Sequence, residues 1–488
     1  MKKKYIIISA LVLTGLFNQS CSEDFIDVAP TEQVSAEDLS LYNNNEGATN
    51  FVNSIYAKFL DWDMSTFSWI GVTSITSDDA DKGSTPGDTG SDKDILDALT
   101  FTPSTPSFES LFSSNYQGIN RANQALKYLP QLTNADQNLR TRLTGEAKFL
   151  RAFMYFTLVR SFGDVPLIDH VPVLGNEEDV DMQLSRKSKE EVYAFIEKDL
   201  LDAAAALPNK SAYGAADIGR ATKGAAHALL AKVYLYQKKW QLAVDQCNLV
   251  TGYSLTPSFI EIYKVTGENN AESIFEIQGS GIETGKGIQQ YTQVQGARGT
   301  GGWGWGFNTP TQNLYDAFTA EGDTERRDAT IMKRGMTLYD GRVVGADADN
   351  PYYNYKAYSS AYTTQSSTDT NIRYLRYAEV LLIKAEALNE LGQTSAAIPL
   401  LNQVRQRAKI NNTTASSQAD VRLAIWKERR LELAFEHDRW FDLVRTGQAE
   451  SAMAANGKTF IVGKHEVFPL PQTFITEAKG RSKQNLNY

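Results

Sequence analysis

Seven aromatic residues stand where this chain is least regular, and their type is the first clue to chemistry. Trp62 and Trp69 border a stretch at 61–107 rich in Ser, Thr, Asp, Gly and Pro. Trp303 and Trp305 sit in the glycine-rich string G-T-G-G-W-G-W-G-F-N-T-P at 299–310, and Tyr352, Tyr353 and Tyr355 crowd a polar loop that also holds Tyr358 and Tyr362. Large rigid rings on loops offer flat apolar faces for sugar C–H groups, with a few neighbouring polar groups for hydroxyls. The composition, with 23 Tyr and 7 Trp, exceeds what a core alone demands.

Catalytic chemistry has no such pattern. Carboxylates are plentiful, but none falls in a recognisable acid–base pair, and no G-x-S-x-G or G-x-x-x-x-G-K-[ST] occurs. The only histidines are 170, 227, 437 and 465, the only cysteines 21 and 247, and H-E-x-x-H is absent, which argues against zinc. Asp79, Asp81 and Gly83 partly match a calcium loop but lack the Glu at its twelfth position. The expectation is a binding protein without metal or cofactor, not an enzyme. A net charge of −9 argues against a nucleic-acid partner.

The amino terminus reads as an address. Lys2, Lys3 and Lys4 precede about thirteen mostly apolar residues, Tyr5 to Phe17, the length of a signal core rather than a membrane span. Cys21 follows almost at once, as in a lipoprotein cleaved before the cysteine and acylated on it, which makes 1–20 a signal peptide. Acidic residues Glu23, Asp24 and Asp27 come next. With Cys21 modified, Cys247 has no disulfide partner.

The elements that must position the loops are helical. Apolar spacing predicts helices near 47–60, 108–129, 140–162 and 188–207, the third apolar almost all round and therefore buried on several sides. Two later stretches, 225–250 and 376–407, resemble each other: a hairpin turn at Lys238 or Gly392 is followed five residues on by Ala243-Val244 or Ala397-Ile398, the tetratricopeptide pattern. Between them 252–372 breaks the rhythm, and Glu272 to Gln278 alternates like a short strand. Val421 to Gly447 reads as one long helix, with Arg429, Glu432, Glu436, Arg439, Asp442 and Arg445 forming a salt-bridged outer face.

That last stretch, with Glu428-Arg429, Glu432, Glu436, Arg439-Trp440, Asp442-Leu443 and Arg445, resembles the carboxy-terminal signature of the SusD/RagB family of Bacteroidetes. Similar blocks recur along the chain: C-S-E-D-F-I-D-V-A-P from Cys21, Y-Q-G-I-N-R-A-N at 116–123, the run from Glu146 through Arg151 to G-D-V-P-L at 163–167, F-P-L-P at 468–471 and N-L-N-Y at the end. The resemblance implies a mostly α, SusD-like fold as a single domain from 21 to 488. Tetratricopeptide-like helices would occupy about 108–250 and 373–447, and an irregular loop-rich half with little β would present ligand-facing parts at about 61–107 and 252–372. It adds Asp79, in S-D-D-A-D-K-G, to the ligand-binding aromatics, and reads Glu146 and Arg151 as structural.

The same resemblance implies a function. Such proteins are lipid-anchored in the outer membrane, surface-exposed, and capture oligosaccharides for a SusC-like TonB-dependent transporter. A peptide-capturing, RagB-like protein with the same type of partner is the alternative; a lipid-anchored glycoside hydrolase and a protein-binding tetratricopeptide scaffold are remoter ones.

Overall fold

A computed structural model of the chain describes residues 36–281, 286–359 and 368–488. Cys21, the leader before it, the acidic residues after it and Tyr362 lie outside the described residues. The architecture is carried by helices α1 (Asn45–Lys58), α2 (Pro106–Tyr128), α3 (Gln137–Phe162), α4 (Lys189–Ala206), α5 (Lys223–Tyr236), α6 (Trp240–Leu249), α7 (Tyr377–Glu390), α8 (Thr394–Arg407), α9 (Gln418–Leu433) and α10 (Arg439–Thr446).

These helices stack in order. α1 packs on α2 and α3, α3 on α4, α4 on α5, and the hairpins α5–α6 and α7–α8 stack through α6 against α7, although residues 250 to 376 separate them in sequence. Local chemistry sets the ends. Ser188 and Glu191 form a capping box at the start of α4, and Asp136 accepts from the Leu139 amide at the start of α3. From Leu143 to Phe162 almost every residue of α3 is buried, because α1, α2 and α4 cover it from different sides. Cys247 is buried on α6, and burial pushes its thiol up to about 12, so it is an inert core residue.

The chain between the hairpins is built from short antiparallel pairs. β1 (Ala80–Gly83) pairs with β3 (Phe307–Pro310), β2 (Ser273–Ile277) with β6 (Ile372–Arg376), and β4 (Ile331–Lys333) with β5 (Tyr352–Asn354). The 61–107 stretch is more ordered than its composition implies: every residue from Gly71 to Ala80 is buried. Two of its hydroxyls bond back to their own helical turns, Thr73 Oγ1 donating to the Trp69 carbonyl (2.7 Å) and Thr76 Oγ1 to that of Val72 (2.9 Å).

The Val421–Gly447 stretch departs from expectation twice. It is two helices, α9 and α10, joined by Ala434–Asp438, in which Phe435 and His437 adopt left-handed backbone (φ 64° and 69°). Neither residue is glycine, so no sequence signal marked the break. The charged face is also buried rather than solvated. Arg376 reaches Glu272 (2.6 Å), Glu432 (2.9 Å) and Glu436 (2.7 Å); Arg407 reaches Glu272 (2.9 Å) and Glu432; Arg326 reaches Glu428 (2.7 Å), Glu432 (3.0 Å) and Asp323 (2.5 Å).

A second set of pairs follows the same helices. Asp438 holds Lys232 (2.5 Å) and Arg160 (2.9 Å), and Asp442 holds Arg429 (2.9 Å) and Arg445 (2.7 Å). Glu146 and Arg151 do not pair with each other: Glu146 accepts from Arg220 (3.0 Å) and Tyr56 (3.0 Å), and Arg151 grips both oxygens of Asp199 (2.8 and 2.9 Å).

Removing one member of such a cluster strands its partners in the interior, which costs about 3–5 kcal/mol. Arg376→Ala is therefore expected to lower stability by about that amount. Lys409→Ala, at a pair with Glu325 where the lysine is 67% exposed, is expected to change it by less than about 1 kcal/mol. Urea midpoints measure both, and equal effects would contradict a buried, coupled network.

The pH dependence follows from Glu436. Burial alone raises its carboxyl, but Arg376 and Lys356 outweigh burial and hold it at about 2, against an ordinary 4.5. A folded value below the unfolded one gives stability that is present above pH 4.5 and lost as the pH falls toward 2. The gap in urea midpoint between the parent and Glu436→Gln is thus expected to be widest above pH 4.5 and to narrow on acidification. A gap independent of pH would contradict a charged Glu436.

Candidate ligand surface

The sequence-selected aromatics divide by strand geometry. Along β5 side chains alternate between faces, so Tyr353 is fully buried (0% exposed) while Tyr352 is half-buried. The Tyr353 hydroxyl donates to the Arg298 carbonyl (3.2 Å) and accepts from the Asn350 amide (2.9 Å), a structural post between two loops. Tyr352 stacks on Tyr315, with centroids 5.0 Å apart and planes at 13°, and donates to Gln312 (3.1 Å). Tyr352 therefore stands apart from Tyr355.

The glycine-rich string is folded back on residues 293–297. The amides of Trp303 and Gly304 both donate to the Ala297 carbonyl (2.9 Å each), and those of Trp305 and Gly306 to the carbonyls of Gln293 (2.8 Å) and Gly296 (2.9 Å). Glycine is required at two points. Gly306 has φ of 74°, and a Cβ at Gly304 would lie 2.4 Å from the Gly296 backbone. Arg298 fastens this loop to its neighbours, donating to Ser84 (2.8 Å) and pairing with Asp349 (3.3 Å).

Held in this way, Trp303 and Trp305 join different groups. Trp305 meets Trp62 edge-on (6.0 Å, 63°), and Trp62 leans on Phe67 (5.1 Å), which in turn contacts Phe307 (4.9 Å). Trp303 meets Tyr358 (5.5 Å), which contacts Tyr355 (5.8 Å) and Tyr339 (5.5 Å), and Tyr339 stacks on Tyr355 at 10°. Tyr355 itself is only 4% exposed, so Tyr339, at 37%, is the outermost ring of this group. Trp62, Trp303, Trp305 and Tyr352 are all half-buried.

Two selected residues are enclosed in the scaffold. Trp69 is buried against the His437 ring (5.4 Å). Asp79 is 2% exposed and takes Arg430 (2.7 Å), with Asp78 beside it taking Arg439 (2.7 Å), so these two carboxylates dock onto the signature helices instead of facing solvent. Among the described residues no cluster of three His, Cys, Asp or Glu side chains is arranged to hold a metal.

Sequence reasoning left Tyr339 and Arg342 out of the site. The available signal was Asp340-Gly341, a hairpin-turn pair that brings Tyr339 and Arg342 over the Trp303 group. Two clefts lie elsewhere: one of about 500 Å³ includes Pro103, Glu109, Thr473 and Glu477, and one of about 220 Å³ includes Lys210, Tyr213, Arg220 and Glu276. Neither contains a selected aromatic. Stacking platforms enclose little volume, so the surface around Trp303 and Trp305 is the better candidate for a chain-like ligand.

Comparison with known proteins accounts for the scaffold. A family model described as "Starch-binding associating with outer membrane" matches residues 24–235, and one described as "SusD family" matches residues 271–468. SusD-like protein P2 of Formosa agariphila is 28% identical, over the whole of both chains. The starch-binding protein SusD of Bacteroides thetaiotaomicron is 26% identical over 80% of this chain and 81% of its own. Among solved structures, a laminarin binding SusD-like protein superposes with a TM-score of 0.77 at 29% identity, covering 91% of this chain and 100% of that one. With matching profiles on both halves of the chain, relatives along its whole length and the same fold, the chain belongs to the SusD/RagB family.

Proposed function

We propose that this protein is a glycan-capture lipoprotein of the outer membrane, tethered at the cell surface through an acylated Cys21 and passing oligosaccharide to a SusC-like TonB-dependent transporter. The observation that carries this reading is the loop-borne aromatic surface. Trp62 with Trp305, and Trp303 with Tyr358 and Tyr339, are large rings held on a rigid scaffold beside hydroxyl and amide groups. Such rings gain contact area with sugar C–H faces at low conformational cost.

The relatives support the ligand class, since one is described as starch-binding and another as laminarin binding. The family description "associating with outer membrane" supports the location. Tethering beside a pore raises the local concentration of captured glycan, so delivery does not demand tight intrinsic binding. The reading is of capture rather than catalysis, and it is supported by the commitment of the signature carboxylates Glu428, Glu432, Glu436, Asp438 and Asp442 to arginine and lysine partners.

Affinity electrophoresis of the protein through gels containing plant, algal, host and microbial polysaccharides tests it. One or more glycans are expected to retard the parent, and Trp303→Ala or Trp305→Ala to weaken binding roughly tenfold or more, the loss typical of a contact hot spot. No retardation by any glycan, with capture of peptides from a defined pool, would move the function to the peptide branch. Release of reducing ends from a bound glycan would identify a hydrolase.

A further inference from the structure

The Trp303 group carries a charge that the scaffold does not use. Residues 337–343 form a small hairpin: Thr337 bridges Val343, and the Leu338 amide donates to the Arg342 carbonyl (2.8 Å) across the Asp340-Gly341 turn. Two bonds pin the tip onto the aromatic group, Tyr358 Oη to Asp340 (2.6 Å) and the Tyr339 amide to Tyr355 Oη (2.8 Å). This fixes Arg342 with its guanidinium carbon 5.0 Å from the Trp303 ring centroid and 5.8 Å from that of Tyr358.

Among the described residues, Arg342 is the one arginine whose guanidinium has neither an ion pair nor a hydrogen bond to the protein, and its Nη1 is buried without a partner. Asp340, close by in sequence, is not within ion-pair distance, and its oxygens are occupied by Tyr358 and the Arg342 amide. Lys264, whose ammonium lies 5.1 Å over the Tyr339 ring, is already paired with Glu261 (2.5 Å). Leaving a charged donor buried and unpaired is costly, whereas every other arginine among the described residues has an ion pair or a hydrogen bond to the protein.

A guanidinium lying over an indole keeps its edge donors in a planar fork, the geometry that takes two oxygens of one carboxylate or sulfate. A neutral hydroxyl accepts one such bond and leaves the charge uncompensated. Building on the glycan reading above, we infer that Arg342 selects acidic saccharides: it binds the carboxylate of a uronic acid or the oxygens of a sulfate ester, while Tyr339 and Trp303 contact the sugar ring that carries the anion.

Titration calorimetry of the full chain in detergent tests this with three probes of matched length: oligogalacturonate, a sulfated galactan oligosaccharide and a neutral β-glucan oligosaccharide. At least one acidic probe is expected to bind better than the neutral one, with affinity falling as salt rises. Arg342→Gln is expected to weaken that acidic probe about tenfold or more, to leave neutral-glucan binding within about twofold, and to melt with the parent because no protein hydrogen bond is removed. Arg342→Lys keeps the charge without the fork and is expected to fall between. The better of the two acidic probes identifies the anion as carboxylate or sulfate. Preference for the neutral probe, or equal effects of Arg342→Gln on neutral and acidic probes, overturns the inference and leaves glycan capture standing. Binding of none of the three, in a protein that also fails to be retarded by any polysaccharide, removes both.

Discussion

The structure depends on a buried electrostatic seam along the two signature helices. Glu428, Glu432 and Glu436 face Arg326, Arg376 and Arg407, and Asp438 and Asp442 face Lys232, Arg160, Arg429 and Arg445. Those partners come from every part of the fold: Arg160 and Lys232 from early helices, Arg407 from α8, Arg326 and Arg376 from the segment between the hairpins. Buried ions gain little net energy over apolar packing but are unforgiving of misplacement. A seam of this kind therefore fixes how the helical stack and the irregular half meet.

That seam ties the scaffold to the loops that carry the aromatic surface. The left-handed residues Phe435 and His437 lie in the segment that joins α9 to α10, and from that segment Glu436 and Asp438 enter two different clusters. The Asp78–Asp79 pair extends the seam to β1, and β1 in turn registers β3 at the end of the glycine-rich loop. The rings around Trp303 and Trp305 are thus positioned by backbone bonds and strand register, while their outer edges remain open to change.

Much of the fold was legible in the sequence. Helical periodicity located α1 to α8 to within a few residues, and the two tetratricopeptide-like stretches do form hairpins that stack on one another. The charges of the signature were misread because a three-and-four spacing is the same for a solvated ladder and for a buried one whose partners lie up to 361 residues away, as Asp78 does from Arg439. Composition misled at 71–80, where the Thr73 and Thr76 hydroxyls bond back to their own helical turns and help a polar stretch to be buried. At the candidate ligand surface the sequence picked out the aromatic loops but not how their rings group in the fold. Whether Tyr353 faces in and Tyr352 out depends on pairing with β4, and that the Arg342 guanidinium lacks a protein partner is visible only in the fold.

The central claim is that ligand engages the loop surface while the seam stays passive. Hydrogen exchange of the full chain, with and without a polysaccharide that retards it, tests this most directly. The account predicts slowed exchange at residues 296–306 and 336–355, with the amides of α3, α7 and α9 unchanged. Protection concentrated instead at the cleft around Glu109 and Thr473, or spread along the helical stack, would contradict it.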